Sequence, residues 1–222
     1  MKIIGVIPAY NEETMIRSVI ESIRPHVHEV VVVDDGSEDN TADFAKSAGA
    51  IVVRHHINRG QGAALQSGVA LALYRGADII VHFDSDGQHP AHQIPDLIKP
   101  LQDEEFDVVL GSRFLDRGSN IPPIRRVVLK LALLFTRAVS GLRITDPQSG
   151  FRAMNRKAAK TLRLRQDRMA HASEFLQLLA RHKLRYKEIP VTIVYTEYSK
   201  AKGQKSWGAI KIVIDLVKGS LF

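Results

Sequence analysis

The stretch ADIIVHFDSDGQHP, residues 77 to 90, decides how the rest of the chain is read. A short apolar run rich in β-branched residues ends at Phe83 and is followed at once by turn residues, the pattern of a buried strand. Asp84 and Asp86 then stand one residue apart at its carboxyl end. Unpaired, such neighbouring carboxylates repel, and a divalent cation with oxygen ligands is the simplest way to bring them together. Gln88 adds a neutral oxygen two residues on. A solvated acidic turn is the plainer account of a lone D-x-D, so the surrounding sequence has to choose.

Outward from that strand, KIIGVI (2–7), EVVVVD (29–34), AIVVRH (50–55) and FDVVLGS (106–112) are runs of the same kind, separated by segments of helical length. The alternation predicts an α/β fold, a mainly parallel central sheet flanked by helices on both faces. Ligands of such sheets collect at the carboxyl ends of the strands. The informative residues fall there: Pro8, Ala9, Tyr10, Asn11 and Glu12 after the first run, Asp34 and Asp35 after the second, Asp84 and Asp86 after the fourth, Gly111, Ser112 and Arg113 after the fifth. NRGQGAALQSG (58–68) opens a helix with a glycine-rich turn, a weak phosphate signal by itself. Beyond residue 113 the alternation stops. A Pro122-Pro123 turn, the basic stretch RRVVLKLALLFTRAV (125–139) and the turn DPQSGFR (146–152) follow, without repeats or a low-complexity linker. The expectation is one domain over 1–222, divided into a nucleotide-binding half (1–113), an acceptor-side half (114–205) and a C-terminal amphipathic helix (206–222).

Composition narrows the classes. The 222 residues are 45% hydrophobic, enough for a sizeable core. With no cysteine, any metal takes oxygen or imidazole ligands. MKIIGVIPAY is too short in apolar residues for a signal peptide, and no run of 18 apolar residues occurs, so a cytoplasmic chain that does not span a membrane is expected. A formal net charge of +7 and a pI near 9.7 favour an anionic partner. No nucleic-acid recognition signature accompanies that charge, which leaves phosphorylated substrates or an acidic lipid surface.

IPAYNEE (7–13), VVVDDGSEDNT (31–41), NRGQGAALQSG (58–68), DSDGQHP (84–90), GSR (111–113) and DPQSGFR (146–152), in that order, resemble family 2 glycosyltransferases. The likeness is greatest to the polyprenyl-phosphate branch typified by dolichol-phosphate mannose synthase. It implies a GT-A fold, a nucleotide-sugar donor of the GDP-mannose or UDP-glucose type, Mg²⁺ or Mn²⁺, and a polyprenyl or dolichyl phosphate acceptor. Carried over by position, it places Pro8, Tyr10, Glu12, Val33 and Asp35 around the nucleoside, and Asp84, Ser85, Asp86 and Gln88 on the donor, with Asp84, Asp86 and Gln88 at the metal. Asp86 and Arg113 are implied as catalytic, Arg113 between donor and acceptor phosphates, and Arg125 or Arg126 as a further acceptor-phosphate contact. The family's R-x-x-G-x-S-K loop is replaced here by KAKGQKS (200–206), leaving Lys200, Lys202 and Lys205 as candidate donor contacts. A lysine there lacks the planar fork of arginine.

The chemistry follows from the leaving group, a nucleoside diphosphate whose growing charge needs cations. A lipid phosphate acceptor is already ionised near neutrality and needs no strong base. A hydroxyl acceptor would need one, and Asp146 and Glu174 are the nominees, against their plainer roles as a turn residue and an exposed helix residue. His82, His89 and His92 are read as packing or surface residues, Asp34 as a turn former, Asp35 as facing the base and Tyr10 as stacking on it. The segment GAIKIVIDLVKGSLF (208–222) and the stretch 125–139 would offer two basic amphipathic surfaces to the inner face of an anionic membrane, with or without a separate transmembrane partner. The expected function is inverting hexose transfer to polyprenyl phosphate. The alternatives are a glycosyltransferase with a sugar-hydroxyl acceptor and an inactive nucleotide-sugar-binding scaffold.

Overall fold

The computed structural model describes residues 1–115, 141–147, 149–168 and 170–194. Arg125, Arg126, Lys200, Lys202, Lys205, the basic stretch 125–139 and the C-terminal segment 206–222 lie outside the described residues. Within them the chain runs β1 (Ile3–Ala9), α1 (Ile16–Ile23), β2 (Glu29–Asp34), α2 (Thr41–Ser47), β3 (Ile51–Arg54), α3 (Gln61–Tyr74), β4 (Ile79–His82), α4 (Ile94–Gln102), β5 (Val108–Ser112), β6 (Arg152–Asn155), α5 (Arg156–Thr161), α6 (His171–Arg181) and β7 (Tyr186–Pro190).

The seven strands form one sheet in the order β3-β2-β1-β4-β6-β5-β7. All neighbours are parallel except β6, which is antiparallel to both β4 and β5. The five expected strands are present. β6 and β7 come from the region where the alternation in the sequence stops. β6 is only RAMN, four residues beginning with an arginine, and carries no strand signal of its own; it is held by pairing Ile79 to Asn155 and His82 to Arg152 across the sheet. The turn read over 146–152 therefore ends one residue early, because Arg152 already belongs to a strand.

Helices cover both faces. On one, α1 buries Ile16, Val19, Ile20 and Ile23, and α4 buries Ile94, Leu97, Ile98 and Leu101, each the stripe of a half-buried helix. On the other, α3, α5 and α6 pack over Ile4, Val6, Val31, Val33 and Ile80. Gly68 lets α3 settle onto the sheet: a Cβ there would run into Val6 and come within 3.2 Å of Val33 Cγ2. The order of the sheet reverses at β1, whose two neighbours, β2 and β4, come from opposite directions along the chain. A crevice opens at the carboxyl ends of strands beside such a reversal. Among the described residues no helix is long and apolar enough to cross a membrane.

Candidate active site

A cavity of about 420 Å³ lies at that reversal. Pro8, Ala9, Tyr10 and Glu12 reach it from the end of β1, Asp35 from β2, Asn58, Gly60 and Gln61 from the turn into α3, Asp84, Ser85 and Asp86 from β4, and Ser149, Gly150 and Arg152 from the approach to β6. His171 and Ala172, at the start of α6, complete the wall.

Asp34 and Asp35 divide their work as adjacent strand residues must. Asp34 is fully buried, accepts from the backbone N–H of Ser37 at 3.0 Å and pairs with Arg54 at 3.1 Å, holding the turn. Asp35 faces the cavity. Its Oδ1 accepts from the Arg59 backbone N–H at 3.0 Å and stands 2.7 Å from Nδ1 of His55, while its Oδ2 accepts from the Gly60 N–H at 2.6 Å. A carboxylate offers about four lone-pair directions, so three protein partners leave room for one ligand N–H. Tyr10 is exposed beside it, and Glu12 is buried with its backbone N–H donating to Thr41 Oγ1 at 2.8 Å.

The acidic pair is half-buried and unequal. Gln61 Nε2 donates to Asp84 Oδ1 at 3.2 Å, and Nε2 of His89 lies 3.3 Å from Oδ2. Asp86 Oδ1 accepts from the Gln88 backbone N–H at 3.0 Å. Burial, and then the charge of Asp84, push the Asp86 carboxyl above its usual range. For Asp84 burial works the same way, but the hydrogen bond and charge of His89, aided by Arg152, outweigh it and hold the carboxyl below its usual range. Gly150 makes room for this arrangement. A Cβ there would stand 2.7 Å from Oδ1 and 2.9 Å from Cγ of Asp84, and closer still to Oδ2. Gly150→Ala is expected to turn the Asp84 carboxylate away and weaken divalent-cation binding about 10-fold or more, the order of one hydrogen bond to a charged group. Titration of Mn²⁺ followed by its electron paramagnetic resonance signal checks this, and unchanged affinity would refute it.

Beneath the pair sits a buried basic group. Arg152 Nε lies 3.1 Å from Nδ1 of His82, and its guanidinium carbon is 4.0 Å from the centroid of the Phe175 ring. Burial holds His82 well below the usual imidazole range and brings His171 down to about 4, the Arg152 charge adding to both, so both rings are neutral near pH 7. His89 is wedged against Phe83 and Phe151. His82 and His89 do pack, as read from the sequence, yet each also touches a charged group of the site.

Other expected residues stand elsewhere. Val33 has no exposed surface and packs in the core against α3, which covers the face that it shares with Asp35 before the strand reaches the cavity. Gln88 is not in the cavity wall; its backbone holds Asp86 and accepts from the Val194 N–H at 2.9 Å. Arg113 is 5% exposed at the end of β5 and does not line the cavity either. Its Nε lies 2.6 Å from Oδ2 of Asp146, which is itself buried and also accepts from the Arg113 backbone N–H. Glu174 accepts from the backbone N–H groups of Arg165 and Gln166, anchoring the loop before α6. Gln61, His89, Arg152 and His171 join the site without a sequence signal that marks them for it. Gln61 and Arg152 sit inside the quoted motifs, but nothing in the sequence shows that they face Asp84.

The family model described as Glycosyl transferase family 2 matches residues 6–163. The chain is 36% identical to the UDP-N-acetylglucosamine–dolichyl-phosphate N-acetylglucosaminyltransferase of Methanococcus voltae, over 96% of this chain and 93% of that one. It is 32% identical to the undecaprenyl-phosphate mannosyltransferase of Micrococcus luteus, over 91% and 87%. Among solved structures, glucosyl-3-phosphoglycerate synthase from Mycobacterium tuberculosis in complex with Mn²⁺, uridine diphosphate and phosphoglyceric acid is similar with a TM-score of 0.72 and 27% identity, over 97% of this chain and 78% of that one.

Proposed function

The chain belongs to glycosyl transferase family 2, in its polyprenyl-phosphate branch, and from that premise we propose that it moves a hexose from a nucleotide sugar to a polyprenyl phosphate with inversion at the anomeric carbon. The observation that carries the reading is one continuous cavity joining the Asp35 end, fit for a nucleobase, to the Asp84/Asp86 pair, fit for a diphosphate and its cation.

The residues fit a divalent cation. Two half-buried carboxylates share one end of the cavity, and Asp86 Oδ2 accepts no hydrogen bond among the described residues. Burial first, and then the charge of Asp84, disfavour the ionised form of Asp86, and a cation between the two carboxylates would offset both. Among the described residues no group of three or more His, Cys, Asp or Glu side chains is placed to hold a metal, so Mg²⁺ or Mn²⁺ would rest on Asp84, Asp86 and the donor's own oxygens. Bound there, it would neutralise charge growing on the departing diphosphate.

The chain's own groups do the rest. Asp35 takes an N–H of the base, Tyr10 covers the ring, Gln61 and His89 hold Asp84 in place, and Arg113, held by Asp146 at the end of β5 outside the cavity wall, is the family's candidate for the acceptor phosphate. A phosphate oxygen of the lipid attacks the anomeric carbon as the bond to the diphosphate breaks. The two nominated bases support an ionised acceptor: Asp146 is buried against Arg113, and Glu174 is spent on two backbone N–H groups. The basic charge of the chain suits work at the cytoplasmic face of an anionic membrane, where polyprenyl phosphate is embedded.

The test is a panel of radiolabelled nucleotide sugars offered with a short prenyl phosphate or the matching prenol, with Mn²⁺, Mg²⁺ or chelator. Transfer to the phosphate alone, lost with chelator, is expected. Equal use of the prenol would overturn the phosphate acceptor. Separately, Asp35→Asn is expected to weaken nucleoside diphosphate binding about 10-fold, a hydrogen bond to a charged group, with a smaller effect on turnover of bound donor. Calorimetry with the diphosphate checks it; unchanged affinity would place Asp35 in loop support only.

A further inference from the structure

Arg152 is 3% exposed, yet among the described residues no carboxylate lies within ion-pair distance of it. Its Nε is engaged with His82, and its planar face lies on Phe175. A guanidinium carries five N–H bonds. The four on its terminal nitrogens meet no acceptor among the described residues, and the side chain borders the cavity beside Asp84, Gln61 and Ser149. The guanidinium is held in a largely buried setting with its terminal N–H groups open to the cavity alone, so a group that enters the cavity is what they are placed to meet.

Burial brings its pKa down to about 10, the charge of Asp84 opposing that fall, so the group stays cationic near neutrality. In the protein alone, Asp84 is the nearby counter-charge that favours the cation. Once Asp84 shares its charge with a divalent cation, that balance is lost, and only an incoming anion restores it. A sugar hydroxyl, being neutral, does not. A phosphate oxyanion does, and two parallel N–H bonds match its geometry.

We propose that Arg152 is a donor-binding residue whose terminal N–H groups hold an oxygen of the nucleotide's diphosphate from the β6 wall of the cavity. This rests on the nucleotide-sugar reading above. It makes the diphosphate site two-sided, with the acidic pair and its cation on one part of the wall and a fixed guanidinium on another. His82 and Phe175 orient the group, and they do so without neutralising it.

The experiment compares the parent protein with Arg152→Met, which keeps the stem on Phe175, and Arg152→Lys, which keeps the charge. Uridine and guanosine diphosphates are titrated by calorimetry with Mn²⁺ and again with chelator; the free nucleosides and geranyl phosphate are titrated by NMR. Arg152→Met is expected to weaken the preferred diphosphate about 10- to 100-fold in both conditions, the range for hydrogen bonds to a charged group. Nucleoside binding stays unchanged, and Arg152→Lys recovers part of the loss. An unaltered diphosphate affinity overturns the proposal, as does an equal loss for the nucleoside, which would mean that the cavity has collapsed. A loss confined to geranyl phosphate also overturns it, moving Arg152 to the acceptor. Failure of the parent protein to bind either diphosphate refutes the nucleotide-sugar reading itself, a result distinct from these.

Discussion

Asp86→Asn is expected to lower glycosyl transfer by roughly three orders of magnitude, the scale of removing a few kcal/mol of charge stabilisation from a transition state. The substitution keeps the shape of the side chain and an oxygen able to accept the Gln88 N–H at 3.0 Å, so the turn after β4 survives. What it removes is the negative charge that a cation and its diphosphate need. It also relieves a repulsion, since the charge of Asp84 helps push Asp86 above its usual range. The melting temperature in the absence of metal should therefore hold or rise slightly, while Mn²⁺ no longer raises it. Asp84→Asn should act in the same direction, with an added local cost because Gln61 and His89 both point at that carboxylate. Radiolabelled transfer, read beside thermal melting with and without Mn²⁺, makes the check. Activity near that of the parent protein in either variant would remove the pair from the reaction.

The second large effect is on stability. Asp146→Ala is expected to cost about 3–5 kcal/mol, because it takes from the buried Arg113 guanidinium the carboxylate that pairs with it at the end of β5. For a chain of this size that corresponds to a fall of roughly 6–20 °C in melting temperature. The two side chains are 6% and 0% exposed, so solvent does little to soften the loss. Glu188 enlarges the effect: its carboxylate accepts from the backbone N–H groups of Thr145 and Asp146, and it belongs to β7, so the 141–147 segment joins two strands of the sheet. Replacing both members, Arg113→Met with Asp146→Leu, should recover much of the stability and none of the activity. Melting curves for the single and double variants give the coupling directly. A fall of less than about 1 kcal/mol for Asp146→Ala, the scale of an exposed pair, would show that the pair is not what holds this corner.

Much of the molecule was legible one strand at a time. Four of the five expected strands, β1, β2, β4 and β5, are buried along nearly their whole length, so their sequences are continuous apolar runs that stand out against amphipathic helices, while the edge strand β3 is only half-buried. Their carboxyl ends carry the turn residues and acids that a ligand edge requires, which is why Tyr10, Glu12, Asp35, Asp84 and Asp86 stand out there, and they are found around one cavity together with Ser85, which the family resemblance implies. The turn chemistry of Asp34, taken with the family resemblance that sets Asp35 at the nucleoside, also separated the roles of the two acids.

Placement across the sheet was decided by tertiary structure. β6 is four residues with no apolar run, and it becomes a strand because β4 and β5 each leave an edge for it to pair with. That pairing sets Arg152 opposite His82, brings Gly150 against Asp84, and lets the first turn of α6 close the wall with His171. Val33 and Arg113 show the converse: α3 covers the first, and a buried carboxylate 33 residues along the chain holds the second. Hydrophobic periodicity is a property of neighbours in sequence and determines where strands and their ends lie. Which side chains meet at a strand end depends on sheet order and on pairings between distant residues, and those are settled only when the chain packs.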